Sequence, residues 1–240
     1  MTVTELMTPF LKLSNNMHAE ALVKTMGAET VGEGSWDAGF EQLHAFALEQ
    51  GVAEGAIRLA DGSGLSRKDL VTGAAVTDLL INVRDESWFD TYDDALPVAG
   101  IDERLVGGTL RYRMGGTPAA GNLRGKTGTL TGVTALSGYV TDADGRELVF
   151  SMISNNYLDS PRSIEDELGV TLASDSEDSA AAAVRPRTLR APALPEGVEC
   201  SWVKAAERPL SGRNGSGRAS SARCSPRRPR SRGGGASAGT

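Results

Sequence analysis

Lys126-Thr127-Gly128 lies in a run of glycine and β-branched residues, Gly125 to Thr134. On a strand, alternation puts Lys126 and Gly128 on one face and Thr127 on the other. A glycine at 128 lets the backbone of a ligand lie close against the strand. The Lys126 ammonium beside it can hold an anionic group or set the electrostatics of a neighbouring hydroxyl. Far upstream, Ser14-Asn15-Asn16 supplies a hydroxyl and two carboxamides. Taken alone, such a triplet is a helix-capping turn and a lysine on an edge strand is a solvated charge. In combination, a Ser-x-Asn turn between helices and a Lys-Thr-Gly strand late in the chain are more telling than either motif alone.

A second reading of the same lysine fails. Gly121-Asn122-Leu123-Arg124-Gly125-Lys126-Thr127 looks like a phosphate-binding loop, but only three residues separate its glycines and position 120 is Ala. Such a loop also opens a helix whose N-terminal amides hold the phosphate, and here a strand-like run follows.

The elements that position these residues can be read from periodicity. Leu6, Phe10, Leu13, Met17, Leu22 and Met26 recur at near-helical spacing across residues 4–26, interrupted by Ser14-Asn15-Asn16. This predicts two helices around a polar turn, the second capped by Ser14 or an Asn. Ser35 caps a further helix that Gly51 ends, and Ala56–Ala60 is a short extended piece. Asp61-Gly62-Ser63-Gly64 is a turn, and Ser66 is expected to cap a helix through Val76 and Leu80. A Leu96-Pro97 break precedes a helix expected around 102–113. Residues 122–131, 134–141 and 147–154 are expected strands, the last two joined by a hairpin turn at Asp142-Ala143-Asp144-Gly145. Helices followed by an antiparallel block imply an α+β fold with helices packed on an antiparallel sheet. Beyond Tyr157 the globular pattern fades, with one short helix at Ile164–Leu172. The expected organisation is a domain over 1–157, a poorly defined extension over 158–204, and a disordered Arg/Gly/Ser-rich tail over 205–240.

The order and setting of the two motifs match the second and third elements of the penicillin-recognising serine hydrolases, whose first is Ser-x-x-Lys. The flanks resemble the D-alanyl-D-alanine carboxypeptidase/endopeptidase family of penicillin-binding protein 4 type. The matching stretches are Leu11–Glu20, Asp61–Arg67 and Leu123–Leu130, with the hairpin ending at Ser154-Asn155-Asn156-Tyr157. The resemblance spans about residues 4–157 and implies a partial transpeptidase-like fold shared with serine β-lactamases. It is closer to the peptidases than to the β-lactamases in the flanks of both motifs.

The resemblance also implies a mechanism without a cofactor or metal. A serine attacks the carbonyl of the penultimate D-alanine, and water hydrolyses the acyl-enzyme. Among the catalytic positions, Ser14 would relay a proton to the leaving amine, and Asn16 would hold the substrate amide and position the catalytic lysine. Lys126 would support that relay and attract the terminal carboxylate. Thr127, Gly128 and Thr129 would bind substrate, the Thr129 backbone N–H serving as an oxyanion donor. The implied partners are peptidoglycan stem peptides ending in D-Ala-D-Ala, and β-lactams.

Three features depart from the family pattern. The thirteen residues before Ser14 contain no serine, and the one Ser-x-x-Lys, Ser201-Trp202-Val203-Lys204, follows both other motifs. The chain as written is therefore expected to be inactive and to bind β-lactams non-covalently at most. The alternative is a non-catalytic peptidoglycan-peptide-binding or accessory protein that keeps the cleft. The family acts in the cell envelope, whereas Met1–Leu6 lacks a basic and an apolar export region, so the chain as written would be cytoplasmic. Lastly, residues 205–240 hold eight Arg, no Lys and only Glu207 as an acid, while the rest has 17 basic and 30 acidic residues. An acidic body argues against nucleic-acid binding by the folded part. Two cysteines, Cys200 and Cys224, make no disulfide framework, and His18 and His44 offer no zinc spacing. No apolar run is long enough to span a bilayer.

Overall fold

The structure, a computed structural model, describes residues 2–177 in full and the backbone of two later strands. The chain divides between residues 184 and 185 into two units.

The first unit opens with α1 (Val3–Leu13) and α2 (Asn16–Val31). Thr2 and Glu5 form a capping box at the start of α1. Ser14 then adopts the left-handed conformation (φ 52°, ψ 57°), which ends α1, and Asn15 caps α2 by accepting from the His18 N–H. Of the residues expected to cap α2, Asn15 does so, and Ser14 is the turn residue. Ser35 caps α3 (Trp36–Glu49), as its position predicts.

Two expected helices differ. Ser66 caps nothing: residues 57–58 (β1) and 70–71 (β2) pair antiparallel, and α4 (Gly73–Asn82) starts later with Thr72 as its cap. The intervening loop is held open by carboxylates. Asp61 accepts from the N–H groups of Gly64 and Ser66, and Asp69 from those of Ala60 and Asp61. Local side-chain bonds of this kind compete with helix formation. The helix expected around 102–113 is one turn, α6 (Arg104–Gly107), continued by a 3₁₀ turn at Gly108–Leu110. Gly108 breaks it at φ 52°, where a Cβ would lie 2.4 Å from the Lys12 carbonyl oxygen. Between these regions, α5 (Phe89–Ala95) stops at the Leu96-Pro97 break.

The three expected strands form: β3 (Arg124–Leu130), β4 (Val133–Thr141) and β5 (Glu147–Asn155), antiparallel in the order β3-β4-β5. Alternation sorts β4 between two cores. Leu136 and Val140 face one side with Phe150 of β5, Leu110, Met114 and Leu123, and α7 (Arg162–Ser174) closes that side with Val170, Leu172 and Ala173. Tyr139 faces the other side with Leu11 of α1, Leu80 of α4 and Leu96, and its hydroxyl donates to the Leu80 carbonyl at 2.7 Å. A third cluster joins α3 to α4 through Ala47, Val52 and Ala75. The architecture is thus α+β, helices packed on both faces of an antiparallel sheet. Helix α7 extends this unit past residue 157, where the apolar pattern fades.

In the second unit, β6 (Val198–Lys204) pairs antiparallel with β7 (Ser220–Pro226). Ser201-x-x-Lys204 therefore lies on a strand, whereas a Ser-x-x-Lys nucleophile belongs at a helix N-terminus. β7 falls in the stretch expected to be disordered; the other residues of the expected extension and tail beyond 177 lie outside the described residues.

Candidate active site

The two motifs meet. Lys126 Nζ donates to Ser14 Oγ at 2.7 Å across 112 residues of sequence, and also to the Thr127 carbonyl. Ser14 reaches the strand because its left-handed backbone turns the chain between α1 and α2. A non-glycine residue in this region is uncommon and carries strain that surrounding contacts must hold.

Those contacts centre on Lys12, two residues before Ser14. Its side chain is only 3% exposed, and its ammonium donates to the Leu96 carbonyl. Burial holds its pKa below the ordinary value, partly offset by Asp94 and Asp93. The segment that Lys12 grips is tied in turn to β3: the Gly125 N–H donates to the Pro97 carbonyl at 3.0 Å, and Arg124 pairs with Asp93 at 2.8 Å. Thus a buried lysine couples the Ser14 turn to the strand that carries Lys126.

Burial also acts on Lys126, moving its pKa from the ordinary 10.5 down to about 8. An amine tuned this way is still mainly protonated at pH 7, but its neutral form, about a tenth there, is far more populated than at the ordinary value, so it can exchange a proton with a hydroxyl in either direction.

Around this pair opens a cleft of about 720 Å³. Ser14, Asn16, Lys126, Thr127, Gly128 and Thr129 all line it, so the six residues singled out in the sequence share one surface. Thr127 Oγ1 donates to Thr109 Oγ1 at 2.8 Å, and Arg162 of α7 donates to Thr129 Oγ1 at 2.9 Å. Opposite β3 stands the 61–66 loop, contributing Ser63, Gly64 and Leu65. Glu20 of α2 fixes that loop, accepting from the Gly62 and Ser63 N–H groups at 3.2 and 3.1 Å and from Trp36 Nε1 at 2.7 Å. These hydrogen bonds hold its carboxyl below the ordinary range against the opposing effect of burial.

Lys12, Glu20, Thr109 and Arg162 were not legible as site residues. Only Lys12 and Glu20 carry a sequence signal: Lys12 interrupts an apolar stripe between Leu11 and Leu13, and Glu20 closes the stretch that begins at Leu11. Thr109 and Arg162 reach the cleft only through tertiary packing.

A helix-flanked antiparallel sheet with a Ser-x-Asn turn facing a Lys-Thr-Gly strand has the penicillin-binding-protein and β-lactamase-like fold. Residues 1–174 match the D-Ala-D-Ala carboxypeptidase 3 (S13) family, and the chain belongs to that family. It is 44% identical over 205 residues to the D-alanyl-D-alanine carboxypeptidase of Actinomadura sp. (strain R39), covering 85% of this chain and 38% of that one. It is 36% identical over 173 residues to carboxypeptidase DacB of Mycolicibacterium smegmatis, covering 67% and 35%. Among solved structures, penicillin-binding protein 4 (dacB) from Haemophilus influenzae, complexed with a β-lactam, superposes with a TM-score of 0.61. The identity there is 28%, over 70% of this chain and 40% of that one. The TLA-3 β-lactamase shares the fold at a TM-score of 0.50 and 15% identity, over 72% of this chain and 62% of that one. The chain spans between a quarter and two fifths of the length of the curated relatives it matches. Among the described residues, no helix is long and apolar enough to cross a membrane.

Proposed function

We propose that the cleft is the substrate-facing half of a serine-type D-Ala-D-Ala carboxypeptidase or endopeptidase site, acting on peptidoglycan peptides in the cell envelope. The observation that carries this reading is the 2.7 Å contact between Lys126 Nζ and Ser14 Oγ on the wall of a cleft that also exposes Asn16, Thr127 and Thr129. A lysine whose pKa lies near 8, donating to a serine hydroxyl, makes a two-member proton relay. Ser14 passes a proton to the departing amine and recovers one from Lys126. Asn16 orients the scissile amide by hydrogen bonding. Thr127 and Thr129 take the terminal carboxylate, and Gly128 lets the peptide backbone approach β3. Among the described residues no Ser-x-x-Lys stands at a helix N-terminus, and on this reading the half-site binds the peptide and β-lactams reversibly.

The test uses the full chain. Calorimetry with N-acetyl-D-Ala-D-Ala is expected to show binding that exceeds N-acetyl-L-Ala-L-Ala and falls about tenfold in Lys126→Met, the weight of one hydrogen bond to a charged group. Equal binding of both stereoisomers would sink the proposal. Incubation with a fluorescent penicillin is expected to leave no label after denaturation; a surviving label would show that a nucleophile is present after all.

A further inference from the structure

Residues 2–177 hold thirteen Lys and Arg against twenty-seven Asp and Glu. Against that background the cleft is inverted in sign. Six of the thirteen basic residues line it (Lys12, Arg104, Arg111, Arg113, Lys126 and Arg162), and none of the acids does. A concave surface of one sign in a body of the other concentrates ligands of the opposite charge.

Four of the six basic groups are already engaged by the protein. Lys12 is bound to the Leu96 carbonyl, Lys126 to Ser14, and Arg162 to Thr129. Arg113 forms ion pairs with Glu165 and Asp166 at 2.9 and 2.7 Å. Arg104 and Arg111 differ. Among the described residues neither has a side-chain hydrogen bond or a carboxylate at ion-pair distance, and Arg111 lies over the exposed Tyr112 ring at 4.4 Å, which braces its planar guanidinium. Both belong to the α6–3₁₀ wall. That wall also supplies Thr109, the partner of Thr127, so the two arginines border the Thr127–Thr129 end of β3. On the proposed reading Thr127 and Thr129 take the one terminal carboxylate at that end, which leaves the two arginines for another anion.

We infer that Arg104 and Arg111 form a second anion subsite, selecting peptides that carry another carboxylate at or next to the C-terminal residue. The inference rests on the proposed reading only for the first carboxylate. The second subsite follows from the sign and pairing of the arginines. A planar guanidinium donates two parallel hydrogen bonds to a carboxylate, which lysine does not, and this suits a wall built from arginine.

The experiment compares N-acetyl-D-Ala-D-Glu with N-acetyl-D-Ala-D-Ala on the full chain by calorimetry. The dicarboxylate peptide is expected to bind about fivefold more tightly at low salt, the scale of a partly exposed ion pair, and the advantage should shrink as ionic strength rises. In the double variant Arg104→Gln, Arg111→Gln, the advantage should vanish, while binding of N-acetyl-D-Ala-D-Ala weakens less than binding of N-acetyl-D-Ala-D-Glu. Equal affinity of the two peptides for the unmodified chain, or an advantage that survives in the variant, overturns the subsite. If neither peptide binds, the peptidase reading fails, and glutarate decides the subsite separately. Glutarate-dependent shifts in the arginine Nε resonances, lost in the double variant, support it; no shift overturns it.

Discussion

The two arms of the site are built differently. Lys126, Thr127 and Thr129 ride on β3, where seven consecutive register pairs with β4 fix every side chain at once. Ser14 and Asn16 ride on a turn between helices, whose position depends on a few long-range bonds: Lys12 to Leu96, Lys126 to Ser14, and the packing of Gly108 against Lys12. A ladder is cooperative, so any break in it costs the fold. A turn held by single contacts can shift while the fold survives. One arm is therefore guarded by stability, the other by particular residues.

The largest break falls on the strand arm. A Cβ at Gly138, the register partner of Gly125, would lie 2.0 Å from the Arg124 carbonyl oxygen. Gly138→Val is expected to destabilise the chain by about 3 kcal/mol or more, as overpacking against an immovable backbone does. A urea melt checks it; an unchanged midpoint would show that β3 is not locked by this ladder.

The second break falls on the turn arm and should leave the fold standing. Met fills the volume of Lys12 without its ammonium, so Lys12→Met is expected to keep its circular dichroism. The Lys126 resonance, followed by NMR of labelled lysine, should move from its titration near pH 8 back toward 10.5 as the Ser14 turn loosens and water enters. Lys12→Arg should restore the lower value. Between pH 8 and 10.5 the unfolded chain holds a proton on Lys126 that the folded chain has lost, so stability must rise with pH in that window. The rise should be present in the unmodified chain and smaller in Lys12→Met. An identical titration in both would show that Lys12 does not position the site.

The smallest effect sharpens the contrast within the turn. Asn15→Ala removes the cap of α2 and is expected to cost about 1 kcal/mol of stability. The Lys126 titration should stay in place, because Lys12 and not the cap holds Ser14. A shift as large as that in Lys12→Met would erase the distinction between capping and positioning.

The local order of this protein was readable wherever neighbouring residues decide structure. Periodicity placed α1, α2 and α3, alternation placed β3, β4 and β5, and Ser35 and Asp142–Gly145 marked a cap and a hairpin turn. The errors came where distant groups outvote local preference. Ser66 looks like a cap, but the Asp61 and Asp69 carboxylates claim the surrounding N–H groups and Thr72 caps α4 instead. Residues 102–113 look helical, but Gly108 leaves the helical conformation at φ 52°, with its backbone packed against the Lys12 carbonyl where a side chain would clash.

The types and order of Ser14, Asn16, Lys126, Thr127, Gly128 and Thr129 were thus set by the sequence and, through the family resemblance they carry with their flanks, pointed to acyl chemistry. Tertiary structure decided that Ser14 and Lys126 touch, that burial moves Lys126 toward neutrality, and that a buried Lys12 and a carboxylate at Glu20 hold the two sides of the cleft. It also decided the cleft's charge: composition reports an acidic body, whereas the cleft gathers six of its thirteen basic groups and none of its acids. Charge is a property of each residue, but an electrostatic field depends on where the chain places them.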